Sequence, residues 1–462
     1  MSAITKPRRI FARDPDRPPE LYEYFVDSIW FDQCKLYDQK VNMPMRGEQK
    51  ADMVIVGGGL AGLNAAYQLV QRFPDRRIVL LEGACCGYGA SGRNAGHALT
   101  GMHGLMDIYK KEGVEAARRH WDITLTGFNM IKTLVEEKGI DCDLEETGKL
   151  GLATLPRHIK VLQKYKEFFD AIGLESEFWD KEKTRSYMKS DAYLAAWRDP
   201  HGGHLNPAKL ARGMKNLVED MGVEVFERSK VLRIEPGKTV RIETEFGEIT
   251  TPQVVLATNA YGPHIGIFKN QIANVTVYGM ATEPLTDAQL QSLGWSGRES
   301  CWDMRAITAS YFKLTTDNRI AYCGDLFPIF YNNGLCTGVY KPSIKAMKEN
   351  LFKTIFPQLE GVKITHTWGG TAAMSLDFFP HIGVTGEHKN IFYACAFNGE
   401  GVVMTQVAGR MIADLVEQKE GDFGFVKFLG RKPPYLFQEP FRYALFKAYY
   451  AGLDKFGSNV LM

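Results

Sequence analysis

Gly57, Gly59, Gly62 and Glu82 are the residues of this 462-residue chain whose types and spacing most clearly promise chemistry. Met53 to Val56 reads as a short strand buried on both faces, and the glycines follow it before an apolar, alanine-rich run that begins at Leu60 and Ala61 and reads as a helix. Gly57 permits a tight turn, Gly59 lets the backbone approach a diphosphate, and Gly62 lets the helix pack closely on the strand. The helix N-terminus offers N–H groups and the positive end of a dipole to phosphate. A second apolar run, Ile78 to Leu81, ends in Glu82, 20 residues after Gly62. A carboxylate there accepts from a ribose 2′-hydroxyl and repels a 2′-phosphate, so the ligand is FAD or NAD rather than NADP.

Three other stretches point the same way. Gly87 to Gly96 is dense in glycine, with Gly89, Ala90, Ser91, Arg93 and Asn94 in sequence and His97 just beyond. Such a loop brings backbone N–H groups and a guanidinium to a flat, polar ligand. Val254 to Leu256 reads as a buried strand that runs into Thr258, Asn259 and Tyr261, and ligands of doubly wound sheets sit at the carboxyl ends of the strands. Ile391 to Ala396 is a further strand. After it Gly399, Glu400, Gly401 and Val402 open a helix, a second place for partial negative charge. Two turn-like clusters precede it, Trp368-Gly369-Gly370-Thr371 and Asp377 to Gly383.

The elements between these stretches must position them. Leu105 to Lys138 and Arg157 to Ile172 have helical spacing, with a strand between Glu146 and Leu155. Ile272 to Tyr278, Tyr311 to Leu314 and Arg319 to Cys323 read as strands of a second sheet, and Pro342 to Phe356 as a helix. Before the first strand, Arg17 to Leu21 reads as a turn or extended arm, followed by the aromatic clusters Tyr22 to Phe25 and Trp30-Phe31. The length allows two or three domains, and the hydrophobic and charged fractions, 45% and 24%, are ordinary for a globular protein. A net charge of +2 gives no reason to expect nucleic acid, and no apolar run reaches membrane-helix length. Arg13, Asp14 and Asp16 follow the early cations where a signal peptide needs an apolar stretch. The eight cysteines show no CxxC pair, which argues against a disulfide framework or metal site and for a cytoplasmic setting. The basic, aromatic tail after residue 430 reads as a helix packed on the body, with contact to a membrane surface as the alternative.

These segments together resemble the D-amino-acid oxidase/glycine oxidase superfamily of FAD enzymes, and within it the gamma-glutamylputrescine oxidase group of amine oxidases. The resemblance runs from about Ala51 to Glu417. It implies an α/β fold: a Rossmann-type FAD-binding domain built from separated segments (51–104, 200–266 and 362–425) and a mixed α+β substrate domain (105–199 and 267–361). An N-terminal arm (1–50) and a C-terminal helical tail (426–462) flank them. It also implies roles. Gly57, Gly59 and Gly62 hold the diphosphate, Glu82 the ribose, and the Val231 backbone the adenine. Ser91, Arg93 and Asn94 lie along the diphosphate and the ring edge. Gly399, Gly401 and Val402 give N–H groups to the pyrimidine end of the flavin.

The resemblance also suggests a reaction. A neutral amine gives hydride to flavin N5, the imine hydrolyses to an aldehyde or ketone, and O2 is reduced to H2O2. Relatives acting on α-amino acids tend to place an arginine shortly before the acid of the Asp377 segment. Thr371 to Leu376 has none, which favours an amine, although Arg305 can bring a charge from elsewhere. Lys313 is either a cation that helps O2 accept electrons or a solvated strand lysine. His97, Tyr261 and Trp368 are candidate pocket residues, with core packing or ring support as the alternative for each. Two rival functions stand beside this one: an FAD dehydrogenase passing electrons to a quinone or electron-transfer protein, and a flavoprotein whose flavin is structural and serves a binding module.

Overall fold

The computed structural model describes residues 4–5, 26–36, 39, 41–303, 310–325, 327–336, 338–426 and 428–456. The expected arm from Arg17 to Leu21, the cluster from Tyr22 to Phe25, the early cations and Arg305 lie outside the described residues. Met53–Val56 is wholly buried because it is the third strand of a six-stranded sheet with helices packed on it. It pairs in parallel with Ile78–Leu81 on one side and Gln253–Leu256 on the other. Glu224–Phe226 extends the sheet beyond Ile78–Leu81. Ile391–Cys395 lies beyond Gln253–Leu256 in parallel, and His381–Thr385 closes that edge antiparallel.

Both strands that lead into glycine-rich junctions therefore end at the same edge of this sheet, with Gln253–Leu256 between them. The helices they launch, Leu60–Arg72 and Gly401–Glu417, pack against each other. Gly409 permits the approach, since a Cβ there would lie 2.6 Å from the Asn64 carbonyl carbon. A small four-stranded sheet caps this unit: Val231–Glu235, Val240–Thr244, Gly247–Thr251 and, in parallel with the last, Gly47–Lys50. The end of the expected N-terminal arm is thus a strand of the nucleotide unit.

The second unit is an eight-stranded mixed sheet. Alternation along Ser310–Leu314 sends Phe312 into a core with Tyr322, Trp295 and Phe356, and puts Tyr311 and Lys313 on the opposite face. His97 and Gly96, from the first unit, meet that face.

Three expectations change. Trp368-Gly369-Gly370-Thr371 is no turn. It lies within Ile364–Met374, a strand paired antiparallel with Ala273–Thr282 across the large sheet. Its glycines make room instead of bending the chain: a Cβ on Gly369 would lie 2.7 Å from the Tyr278 ring. Residues 364–374 are accordingly paired into the large sheet. The Asp377 cluster turns only as far as Pro380, and His381 already begins a strand. The helix expected from Pro342 to Phe356 is α-helical over Lys341–Glu349, then widens to a π turn over Asn350–Ile355.

Phe441–Phe456 forms the tail helix. Its start is tethered by Arg442, which donates to the Lys269 carbonyl at 3.2 Å and pairs with Glu439 at 2.7 Å. Among the described residues, no helix is long and apolar enough to cross a membrane.

Candidate active site

The first junction is shaped by steric necessity. Gly57 has φ +112°, and a Cβ there would lie 2.6 Å from the Ala257 carbonyl oxygen of the neighbouring strand end. A Cβ on Gly62 would overlap the Gly57 carbonyl oxygen outright. Gly59 is the helix N-cap and has no side chain with which to cap. Ser91 Oγ, from the glycine-dense loop, serves instead and accepts the Leu60 N–H at 2.8 Å. Ala61 and Gly62 follow in a first turn whose N–H groups have no carbonyl four residues back.

Glu82 closes the turn from below. One carboxylate oxygen accepts the Gly58 N–H at 2.7 Å and the other the Ala84 N–H at 2.9 Å. Burial pushes its pKa up, and these backbone donors oppose that shift. Ser229 and Arg228 donate their N–H groups to the Glu82 and Ala84 carbonyls, which brings Val231, on an edge strand of the small sheet, next to the same loop.

Arg93 ties three segments together. It ends a short helix, Ala90–Arg93, whose N-cap is Gly89. Its guanidinium donates to the Gly369 carbonyl and to the Tyr261 hydroxyl, each at 3.0 Å, and stands 4.7 Å from the Tyr88 ring centre. Gly370 leaves space beside it, since a Cβ there would be 3.3 Å from the Arg93 Cβ. Asn94 folds its own loop, accepting the Gly96 N–H and donating to the Ala90 and Ser91 carbonyls. Asn259, with φ +41°, clamps the two strand ends by accepting the Ala396 N–H at 3.0 Å, and Thr258 heads the same 3-10 turn.

The second junction is roomier. Gly399 has φ +95° and nothing within 4 Å of where a Cβ would stand, and a Cβ on Gly401 would only touch that of Phe397 at 3.4 Å. Val402 is buried in the helix that follows. Glu400 is the N-cap of this helix, yet its carboxylate turns away to accept the His103 N–H at 2.7 Å. Asp377 stands aside from both junctions, 3.1 Å from His381 Nε2. Burial raises its pKa, but the hydrogen bonds from His381 and Ser375 outweigh that and hold it below the usual carboxylate range.

The candidate pocket residues separate. His97 stands 5.9 Å from the Tyr311 ring, both ring nitrogens buried and, among the described residues, without a hydrogen-bond partner. Burial first, and then the nearby Lys313, lowers its pKa to about 3, so it is neutral at pH 7. The Tyr261 hydroxyl is held by Arg93. Trp368 is a core residue: its Nε1 donates to the Arg93 carbonyl at 3.0 Å and its ring meets Trp30 edge-on at 6.0 Å. Lys313 is no solvated strand lysine. It is 2% exposed, donates to the carbonyls of Leu205 at 2.6 Å and Gly96 at 3.3 Å, and faces the Trp30 ring at 4.7 Å. Burial lowers its pKa to about 7. Tyr311, His103 and Tyr165 were not singled out by sequence reasoning. Tyr311 was findable, being two residues from Lys313 on a strand; the other two carry no local signal.

Residues 52–415 match the DAO family of FAD dependent oxidoreductases. The chain belongs to that family. It is 32% identical to a probable oxidoreductase OrdL of Haemophilus influenzae, covering 86% of this chain and 89% of that one. It is 31% identical to the gamma-glutamylputrescine oxidoreductase of Escherichia coli, covering 88% and 93%. Among solved structures it is similar to glycine oxidase of Geobacillus kaustophilus, with a TM-score of 0.70 at 20% identity over 83% of this chain and 99% of that one. The fold is thus a two-unit DAO fold, and the protein is an FAD-dependent oxidoreductase. The residues fit that cofactor: two helix N-termini end at one sheet edge, the second junction leaves space beside Gly399, and among the described residues the neutral His97 has no protein partner for its ring nitrogens.

Proposed function

We propose that this protein oxidises the C–N bond of an amine, either a gamma-glutamyl amine or an N-substituted amine, to an imine that hydrolyses to an aldehyde or ketone, with O2 as electron acceptor. The observation that carries the reading is that every cation lining the site among the described residues is already engaged. Arg93 is held by Gly369 and Tyr261, and Lys313 by Leu205 and Gly96. Lys149 is 3.1 Å from the buried Asp199. Among the described residues no guanidinium is left for the bidentate grip that an α-carboxylate requires; Arg305 lies outside them. The Escherichia coli relative, named for a glutamylated diamine, supports the same reading.

In this reading the diphosphate of FAD lies over Gly57, Gly59, Leu60, Ala61 and Gly62, with the ribose at Glu82 and the adenine at Val231. Gly89, Ala90, Ser91, Arg93, Asn94, Thr258, Asn259 and Gly370 line the middle of the cofactor, with Asp377 behind the last segment. The backbone of Gly399, Glu400, Gly401 and Val402 meets the pyrimidine end. Bound FAD supplies the hydride acceptor for the substrate carbon and the electron donor for O2. The chain contributes orientation and electrostatics. The first turn of the Gly401–Glu417 helix puts partial positive charge where negative charge develops. Lys313 is a buried amine with a pKa lowered to about 7, whose protonated form is suited to stabilising charge on oxygen. His97 offers one N–H and one lone pair to substrate or cofactor.

The test is anaerobic mixing of the holoenzyme with amines, gamma-glutamyl amines and amino acids, followed by air. Bleaching of the flavin by an amine class, with rapid recovery and H2O2 in air, is the expected result. Faster reduction by glycine or D-alanine than by any amine overturns the amine reading. Slow recovery in air assigns the electrons to a quinone or an electron-transfer protein.

A further inference from the structure

Glu400 is the charged side chain of the second junction, and its two carboxylate oxygens have different fates. Oε1 accepts the His103 N–H at 2.7 Å and lies 3.6 Å from the His103 ring Nε2. Oε2 is buried, with no hydrogen-bond partner among the described residues. Native proteins seldom leave a buried acceptor unmet, least of all a carboxylate. Burial pushes the carboxyl pKa up, and His103 and Lys149 only partly oppose it.

The surroundings are aromatic. The charge of Glu400 reaches the phenols of Tyr165 and Tyr311, where it adds to burial in raising their pKa values. Tyr165 stands 5.2 Å from the Trp197 ring and 6.0 Å from that of Trp302. Tyr311 stands against the neutral His97. Lys149, whose charge reaches Glu400, is committed to Asp199 and to the Thr100 carbonyl at 2.5 Å. A half-satisfied carboxylate near two phenols, with its neighbouring lysine paired to Asp199, is a site for a cation.

We propose that Glu400 Oε2 is the specificity-determining acceptor for the substrate's protonated nitrogen, and that substrates bind as alkylammonium ions beside it and the phenols of Tyr165 and Tyr311, the nitrogen giving up its proton to solvent before the neutral amine is oxidised. This rests on the amine reading and names the group the site selects.

The test uses the FAD-loaded enzyme and Glu400→Gln, whose amide oxygen keeps the His103 hydrogen bond while the charge is removed. The probes are tert-butylammonium, which has no α-hydrogen to lose, and the neutral tert-butanol. Binding is read from perturbation of the flavin spectrum and from the melting temperature. Tert-butylammonium should bind the parent enzyme better than tert-butanol and lose roughly ten- to a hundredfold in affinity in Glu400→Gln, the worth of a hydrogen bond to a charged group. Tert-butanol should bind both proteins alike, and Glu400→Asp should recover part of the loss. Equal binding of the ammonium by parent and Gln variant, no preference over the alcohol, or no binding of either probe overturns the assignment. Ammonium selectivity in an enzyme whose flavin no amine reduces would keep the site and remove amine oxidation. Amine oxidation with an unchanged KM in Glu400→Gln would do the reverse.

Discussion

The two glycine-rich junctions are alike in topology and opposite in packing. Each follows a parallel strand, each opens a helix, and both lie at one edge of the six-stranded sheet. At the first, the missing side chains are replaced by protein: Gly57 abuts the Ala257 carbonyl, Gly62 the Gly57 carbonyl, and Ser91 Oγ lies 2.7 Å from where a Gly59 Cβ would stand. At the second, the space beside Gly399 holds no atom of the described residues within 4 Å, and the residue between the glycines carries a carboxylate. The first set of glycines serves the chain's own packing, beside the ligand role proposed for it. The second is free of the chain, so its glycines answer to backbone conformation and to whatever enters the space.

Gly62→Ala should break the first junction with the largest effect. The new Cβ has no room, because its obstacle is backbone rather than a flexible side chain. Overpacking of this kind costs about 1–3 kcal/mol and sometimes more, so we expect a sharp fall in melting temperature and protein purified without flavin. A Gly62→Ala variant with parental melting temperature and flavin content would erase the contrast.

Glu82→Ala should follow. It strands the Gly58 and Ala84 N–H groups, at about 1–3 kcal/mol for each donor left buried and unpaired. Flavin occupancy after purification should drop as well; unchanged occupancy would sink the ribose assignment while leaving the structural role intact.

How far the sequence reveals this site differs between the junctions for the same physical reason. Gly57, Gly59, Gly62 and Glu82 are constrained by neighbours close in sequence, so their spacing carries the strand, turn and helix. Lys313 reads as a surface strand lysine because the carbonyls that bury it, from Gly96 and Leu205, are more than 100 residues away in the chain. Glu400 reads as part of a helix start because nothing near it in sequence announces His103. Gly369 and Gly370 read as a turn because glycine is ambiguous: here it clears space for Tyr278, Cys336 and Arg93 inside a long strand. Local chemistry was legible, and chemistry assembled across the two sheets was not.

Lys313 faces the space between the sheets, and its effect should be graded by pH. Its folded pKa is about 7, lowered by burial, against about 10.4 in an unfolded chain. Between those values the unfolded chain holds a proton that the folded protein does not. Stability contributed by this site is therefore present above pH 10, and is lost as pH falls towards 7, by at most about 1.4 kcal/mol per pH unit. Lys313→Met should flatten that slope in chemical denaturation between pH 7.5 and 9.5. Parallel slopes in the two proteins would mean that the amine keeps its charge when buried.

Gly401→Ala should give the smallest change in stability and the sharpest view of the second junction. The added methyl would meet Phe397 at an ordinary contact distance. Alanine also favours a helix over glycine by up to about 1 kcal/mol, and position 401 begins one. The apoprotein should melt at the parental temperature or slightly above it, in direct contrast to Gly62→Ala. Flavin affinity should nevertheless fall if the methyl enters the space that the proposed reading gives to the pyrimidine end. Measuring apoprotein melting and flavin dissociation on the same variant separates the two effects. A rise in melting temperature with undiminished flavin affinity would remove Gly401 from the cofactor's surroundings and make both junctions packing devices.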